Sequence, residues 1–147
     1  MTGVIGDIGA FSFYPTKILG TYGDGGIIVT NNKKFAERSR MIRMYGMKGT
    51  YYSEIEGINS RLDEVHAAIL SVKLKYLKKD QNKRNSIARY YISNLKDLDI
   101  ALPKVKKGCT HGYYLFVIRT KKRDELLIIS RREGLRQGST FRRRFIL

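Results

Sequence analysis

Two apolar runs near the start of the chain flank a glycine-dense turn. Ala10–Tyr14 is apolar with Ser12 as its one small polar member, and Ile27-Ile28-Val29-Thr30 is the second run. Runs this short, rich in aromatic and β-branched residues, predict strands. Pro15 cannot donate to a ladder and ends the first, and Gly23-Asp24-Gly25-Gly26 supplies a tight reversal. Asn32 then predicts an N-cap for a helix over Lys33–Tyr45, with Phe35, Ile42 and Tyr45 on one face and Gly46 as its stop. Gly46–Gly57 reads as an irregular loop, a reasonable place for substrate or partner contacts.

From Ser60 the period changes. Ser60 and Asp63 form a capping-box pattern, and Leu62, Val65, Ile69, Val72 and Tyr76 recur at three- and four-residue steps, which predicts one apolar helical stripe. The periodicity resumes at Ile87, Tyr91 and Leu95 after the polar stretch Lys78–Arg84. One long bent helix and two helices in line both satisfy this pattern. Ile100-Ala101-Leu102 is a brief strand candidate, Tyr113–Thr120 (YYLFVIRT) is the clearest strand of the second half, and Asp124-Glu125-Leu126-Leu127 opens a further helix.

Composition narrows the class. The chain has 147 residues, enough for one modest domain with a core. A single cysteine, Cys109, excludes an internal disulfide framework and fits a reducing cytoplasm. No apolar run reaches the roughly 18–20 residues of a membrane span, and the start lacks a signal-peptide layout. The formal net charge of +16 invites a nucleic-acid reading. The basic residues are nevertheless spread along the chain, so a solvated basic surface is the simpler account and nucleic acid an unlikely partner. His66 has no ligand-spaced companion, so no metal site is expected.

The candidate chemistry centres on Lys17. A lysine delivered at a strand end, beside a serine and a glycine-rich turn, suits a Schiff-base lysine. Ser12 and nearby backbone N–H groups would then hold a cofactor phosphate. A surface lysine in a hairpin satisfies the same spacing, and the residues alone leave both open.

The string SFYPTK-ILG-TYGDGGIIVTN resembles the lysine segment of the DegT/DnrJ/EryC1/StrS family of pyridoxal-phosphate sugar aminotransferases. Two further blocks follow in the family's order: GINSRLDEVHAAIL (Gly57–Leu70), and YYLFVIR with Arg123-Asp124-Glu125-Leu126. The likeness covers about Gly3–Leu127. It implies that Lys17 is the Schiff-base lysine and general acid/base, and that Ser12 binds the phosphate of pyridoxal 5'-phosphate. It further implies that Asn59 reaches across a homodimer interface to the neighbouring subunit's cofactor phosphate; an asparagine capping its own backbone fits the same position. The reaction implied moves an amino group, usually from glutamate, to a nucleotide-linked keto sugar. Arg43–Met47 (RMYGM) and the NSRLDEVHAAIL string lean toward sugar 3-aminotransferases.

The fold implied is α/β, of the aspartate-aminotransferase type, and in part only. Residues 1–58 would be the end of the PLP-binding large domain, 59–97 the connecting helices and 98–127 the start of the small domain. Family members carry roughly half a protein before this lysine, including an aspartate that pairs with the pyridine nitrogen and an aromatic that stacks on the ring. Asp7 and Asp24 lie too near Lys17 to take the aspartate's role by likeness, so this chain alone is expected to be inactive, with much apolar surface uncovered. Residues 128–147 are expected to be an out-of-frame tail. Six arginines and one glutamate follow Ile128, and beginning each codon at the old third base permits YLKKRGIETGIHFPTPFHL, which resembles the family's continuation. An inactive remnant and a small basic binding module are the competing readings.

Overall fold

The computed structural model describes residues 3, 5–49 and 51–135. Its elements are strand β1 (Gly9–Ser12), strand β2 (Gly26–Val29), and helices α1 (Lys33–Ile42), α2 (Glu64–Leu95) and α3 (Arg123–Arg132). Two compact units, residues 1–83 and 84–147, divide within the polar stretch of α2. Most of the tail predicted to be out of frame, from residue 136 onward, lies outside the described residues.

In the first unit β1 and β2 pair antiparallel, Gly9 opposite Val29 and Ser12 opposite Gly26. The first strand thus ends at Ser12, before Phe13 and Tyr14, because the backbone beyond it bends into a closed loop. Asn32 caps α1 as its position predicts: its side-chain oxygen accepts from the amides of Lys34 at 2.9 Å and Phe35 at 3.4 Å. The helix stops at Ile42 rather than Tyr45. Tyr45 and Gly46 both take positive φ, 57° and 77°, which turns the chain back toward Ile58. A methyl on Gly46 would overlap the Ile55 carbonyl, so only glycine suits this corner.

Helix α2 is one continuous element of 32 residues. It begins at Glu64, with the Asp63 carbonyl accepting from the Ala67 amide. Ser60, four residues before that start, does not stand at its N-cap, and its amide donates to the Arg43 carbonyl at 3.0 Å. The predicted stripe is right only in part. Val65, Val72 and Tyr76 are 69%, 55% and 57% exposed, whereas Leu70 is buried. Leu62 of that stripe, just before the helix, does turn inward, and the inward face continues through His66, Leu70 and Lys73. Its partner is the backbone of the glycine turn, and a surface of carbonyls and amides is met by donors as well as by hydrocarbon.

In the second unit YYLFVIRT does not form a strand. Its ladder is a single pair, Ala101 with Arg119, whose amides and carbonyls exchange bonds of 2.8 and 3.0 Å. The run packs as aromatics rather than pairing. Tyr113 is buried at φ 44°, its ring stacks on Phe116 at 6.3 Å, and Phe116 meets Tyr91 of α2 at 5.2 Å. Ala88 of α2 is 2% exposed, and Arg84 donates to the Tyr113 carbonyl at 3.3 Å. Helix α3 carries Asp124 and Glu125 in its first turn and Arg131 and Arg132 in its last, the arrangement that complements the helix dipole. It therefore continues past Leu127 into the arginine-rich segment. No helix among the described residues is long and apolar enough to cross a membrane.

Candidate functional site

Lys17 sits on a loop that the backbone closes at its base. The Phe13 amide donates to the Gly25 carbonyl at 2.7 Å, prolonging the strand pairing by one bond, and the Thr21 amide donates to the Phe13 carbonyl at 2.8 Å. Between these residues Tyr14–Lys17 forms a turn, the Lys17 amide donating to the Tyr14 carbonyl at 2.8 Å. Pro15 occupies the second position of that turn, where its fixed φ is pre-set. Pro15 thus shapes the turn that presents Lys17, three residues after the strand has ended.

Ser12 stands at the entrance of the loop, exposed. Its hydroxyl oxygen accepts from the Tyr14 amide at 3.2 Å, and a hydroxyl that accepts keeps its own proton to donate. Lys17 is half-buried, while Gly20 and Thr21 are buried. Gly20 has no room for a side chain: a Cβ there would lie 2.6 Å from the Tyr14 carbonyl oxygen and 2.7 Å from that of Pro15. Helix α2 supports the loop from its inward face. Lys73 donates through its ammonium to the Gly20 carbonyl, and a Cβ on Gly23 would lie 2.8 Å from the His66 ring. His66 is therefore a packing residue, and no group of three metal-ligating side chains occurs among the described residues.

Asn59 is placed separately. The end of α1 grips the preceding segment: Ile58 donates to Ile42 at 2.7 Å, Tyr45 donates to Ile58 at 3.1 Å, and Asn59 bridges to Met44. Asn59 is exposed and lines a cavity of about 1180 Å³ together with Phe11, Arg40, Arg43 and Arg61. Neither Ser12 nor Lys17 lines that cavity. Ser12 and Lys17 thus share one loop, and Asn59 faces other space. Arg40, Arg43 and Arg61 share that lining with Asp24 and Asp63, so the cavity presents both signs of charge.

The sequence reading missed Lys73. Its signal was available, since Leu62, His66, Leu70 and Lys73 step by four, four and three, but the purely apolar stripe that also starts at Leu62 fitted the helical period as well.

The chain as a whole has parallels among known proteins. A family model described as the DegT/DnrJ/EryC1/StrS aminotransferase family matches residues 1–144. The dTDP-3-amino-3,4,6-trideoxy-alpha-D-glucose transaminase of Micromonospora megalomicea is 45% identical over 86% of this chain and 35% of its own length. The crystal structure of DesV from S. venezuelae, in complex with a ketimine intermediate, superposes with a TM-score of 0.85 at 41% identity, covering 89% of this chain and 36% of that one. NtdA from Bacillus subtilis, solved with bound cofactor PMP, gives a TM-score of 0.75 at 30% identity over 84% of this chain and 30% of its own. The chain spans about a third of the length of the relatives it matches, and its α/β fold is the corresponding part of theirs. With the match running through nearly all its residues, the chain belongs to the DegT/DnrJ/EryC1/StrS aminotransferase family.

Proposed function

We propose that this chain supplies the cofactor-anchoring lysine of a sugar aminotransferase, moving an amino group from a donor such as glutamate to a nucleotide-linked keto sugar. The observation that carries the reading is the closed loop in which Ser12 and Lys17 lie five residues apart around a proline turn, in a chain of this family. These residues fit pyridoxal 5'-phosphate. Ser12 keeps a proton to donate to the phosphate, and Lys17 offers a primary amine on a loop whose base is fixed by backbone bonds. When bound, the cofactor supplies an electron sink for the carbanion formed at the amino-bearing carbon.

The chain's own residues have three tasks. Lys17 anchors the cofactor covalently and, once released, carries the proton between the donor carbon and the cofactor carbon. Ser12 orients the phosphate, and the buried Gly20 lets the backbone approach closely. Asn59, on a different surface with Arg43 and Arg61 beside it, serves the phosphate held by the neighbouring subunit of a homodimer. The relative from Micromonospora megalomicea is named for a 3-amino sugar, which supports amination at the sugar 3-position. No acid of this chain matches the family's partner of the pyridine nitrogen, so turnover by this chain alone is not expected.

The experiment is to incubate the purified chain with pyridoxal phosphate, reduce with borohydride and map the pyridoxyl group by mass spectrometry. Modification concentrated at Lys17, and absent there in Lys17→Ala, supports the reading. Modification spread evenly over exposed lysines such as Lys33 and Lys34 would overturn it.

A further inference from the structure

We propose that Lys73 is a positioning residue for Lys17, an ammonium clamp that ties helix α2 to the Lys17 loop. The inference rests on the cofactor reading above and extends it to a residue outside the loop. Three observations carry it. The Lys73 ammonium donates to the Gly20 carbonyl, a contact between residues 53 apart in sequence, and it lies 5.9 Å from the centre of the Tyr22 ring. That separation is within the range of cation–π attraction. Gly20 in turn packs on the turn itself, its α-carbon so close to the Tyr14 and Pro15 carbonyls that a Cβ would lie within 2.7 Å of both oxygens. Finally, the Lys17 amide is bonded to the same Tyr14 carbonyl, at 2.8 Å.

The chain of contacts therefore runs from Lys73 to Gly20, from Gly20 to Tyr14 and Pro15, and from Tyr14 to Lys17. Each link is to backbone, which cannot swing aside as a side chain can. The Gly20 carbonyl is part-buried beside the loop base, and a charged donor is the strongest partner for such an acceptor. Lys73 is half-buried on the face of α2 that carries the buried Leu70, where an ammonium loses part of its solvation unless it is held. Here it is held by one carbonyl and the face of Tyr22. Without the clamp the base would still close through Phe13 and Thr21, but the hold of α2 on the Gly20 carbonyl would be lost. The Lys17 amine would then sample a wider volume, and a covalent anchor displaced by an ångström reacts far more slowly.

The test compares the full chain with Lys73→Met, which keeps the hydrocarbon stem, and Lys73→Arg, which keeps a cationic donor. Backbone hydrogen exchange is read over residues 14–21 and, as an internal control, over α1. The rate of borohydride-trapped pyridoxyl modification at Lys17 is read on the same samples. In Lys73→Met the loop amides exchange faster while α1 is unchanged, and Lys17 modification slows by about tenfold or more; Lys73→Arg restores both. Should Lys73→Met fail to fold, Lys73→Gln, an uncharged donor, is read in the same way. Loop exchange and Lys17 modification at parental values in the clamp variant overturn the inference, as does loosening of α1 and loop together that arginine does not restore. Absence of a Lys17 adduct from the parent chain instead overturns the cofactor reading, and the clamp's purpose falls with it.

Discussion

The Thr21 amide donates to the Phe13 carbonyl at 2.8 Å, and that bond makes a closed loop of the segment bearing Lys17. Gly20 lies just inside it, against the carbonyls of Tyr14 and Pro15. Gly20→Ala forces a methyl into backbone that cannot move without opening the loop, at a cost of about 1–3 kcal/mol. Urea denaturation is expected to show a lower midpoint with an unchanged slope, together with reduced pyridoxyl modification of Lys17. Parental stability in this variant would mean the loop is not packed as described.

Thr21 is 0% exposed, and its hydroxyl oxygen has no hydrogen-bond partner among the described residues. A buried hydroxyl without a partner forfeits about 1–3 kcal/mol of solvation. Valine has the same shape without the hydroxyl, so Thr21→Val is expected to leave the fold intact and raise stability by about 1 kcal/mol. A clear loss of stability on denaturation would show that this hydroxyl is bonded in solution.

Asn32 accepts from two amides at the start of α1, and its own amide donates to the Thr30 hydroxyl at 3.1 Å. Asn32→Ala removes the side-chain cap and is expected to cost about 1 kcal/mol, with Asn32→Asp close to parental. Hydrogen exchange in the first turn of α1 is the sensitive readout. Equal protection in the alanine variant would argue against the cap.

What could be read from the sequence divides by range. Asn32 was legible because a cap depends on neighbours a few residues away, and the pairing of the two apolar runs was legible as well. The tight reversal expected at Gly23–Gly26 was not, because Gly25 and Gly26 pair with Phe13 and Ser12 and the chain reverses through the long loop between them. The continuity of α2 was half legible: the period was plain, but whether the polar stretch Lys78–Arg84 broke the helix depends on packing at both ends. Beyond Leu62 the inward face was misread because Val65, Val72 and Tyr76 obey the same helical period as His66, Leu70 and Lys73. What chooses between the faces is the partner, a glycine turn made of backbone that lies some forty residues earlier in the chain. YYLFVIRT has strand composition, yet only Arg119 finds a ladder partner, and its rings pack on Tyr91 instead. Of the candidate site, Ser12 and Lys17 were legible as one segment. That Asn59 faces a different cavity is set by the bonds from Ile42, Arg43 and Tyr45, which no local pattern announces.

The last prediction concerns the gene. We propose a single-frame slip near Leu126–Ile128, so that residues 128–147 follow a frame displaced from the ancestral one. The family match to the written sequence extends to residue 144, past the Leu127 at which the likeness was expected to end, which runs against the slip and leaves the codons to decide. Helix α3 does not separate them, because the dipole-complementing charges and capped turns that extend it to Arg132 arise from the written sequence. The codons do. Reading from each old third base, YLKKRGIETGIHFPTPFHL requires Ile128 to be ATT, since only a third-base T joined to the AT of Ile129 encodes tyrosine. It likewise requires TTC at Phe141, to give proline with the CG of Arg142, and TTC at Phe145, to give histidine with the AT of Ile146. Sequencing the DNA across this segment decides the matter: another codon at any of the three leaves the displaced frame without the family's string, and the tail is then the chain's own.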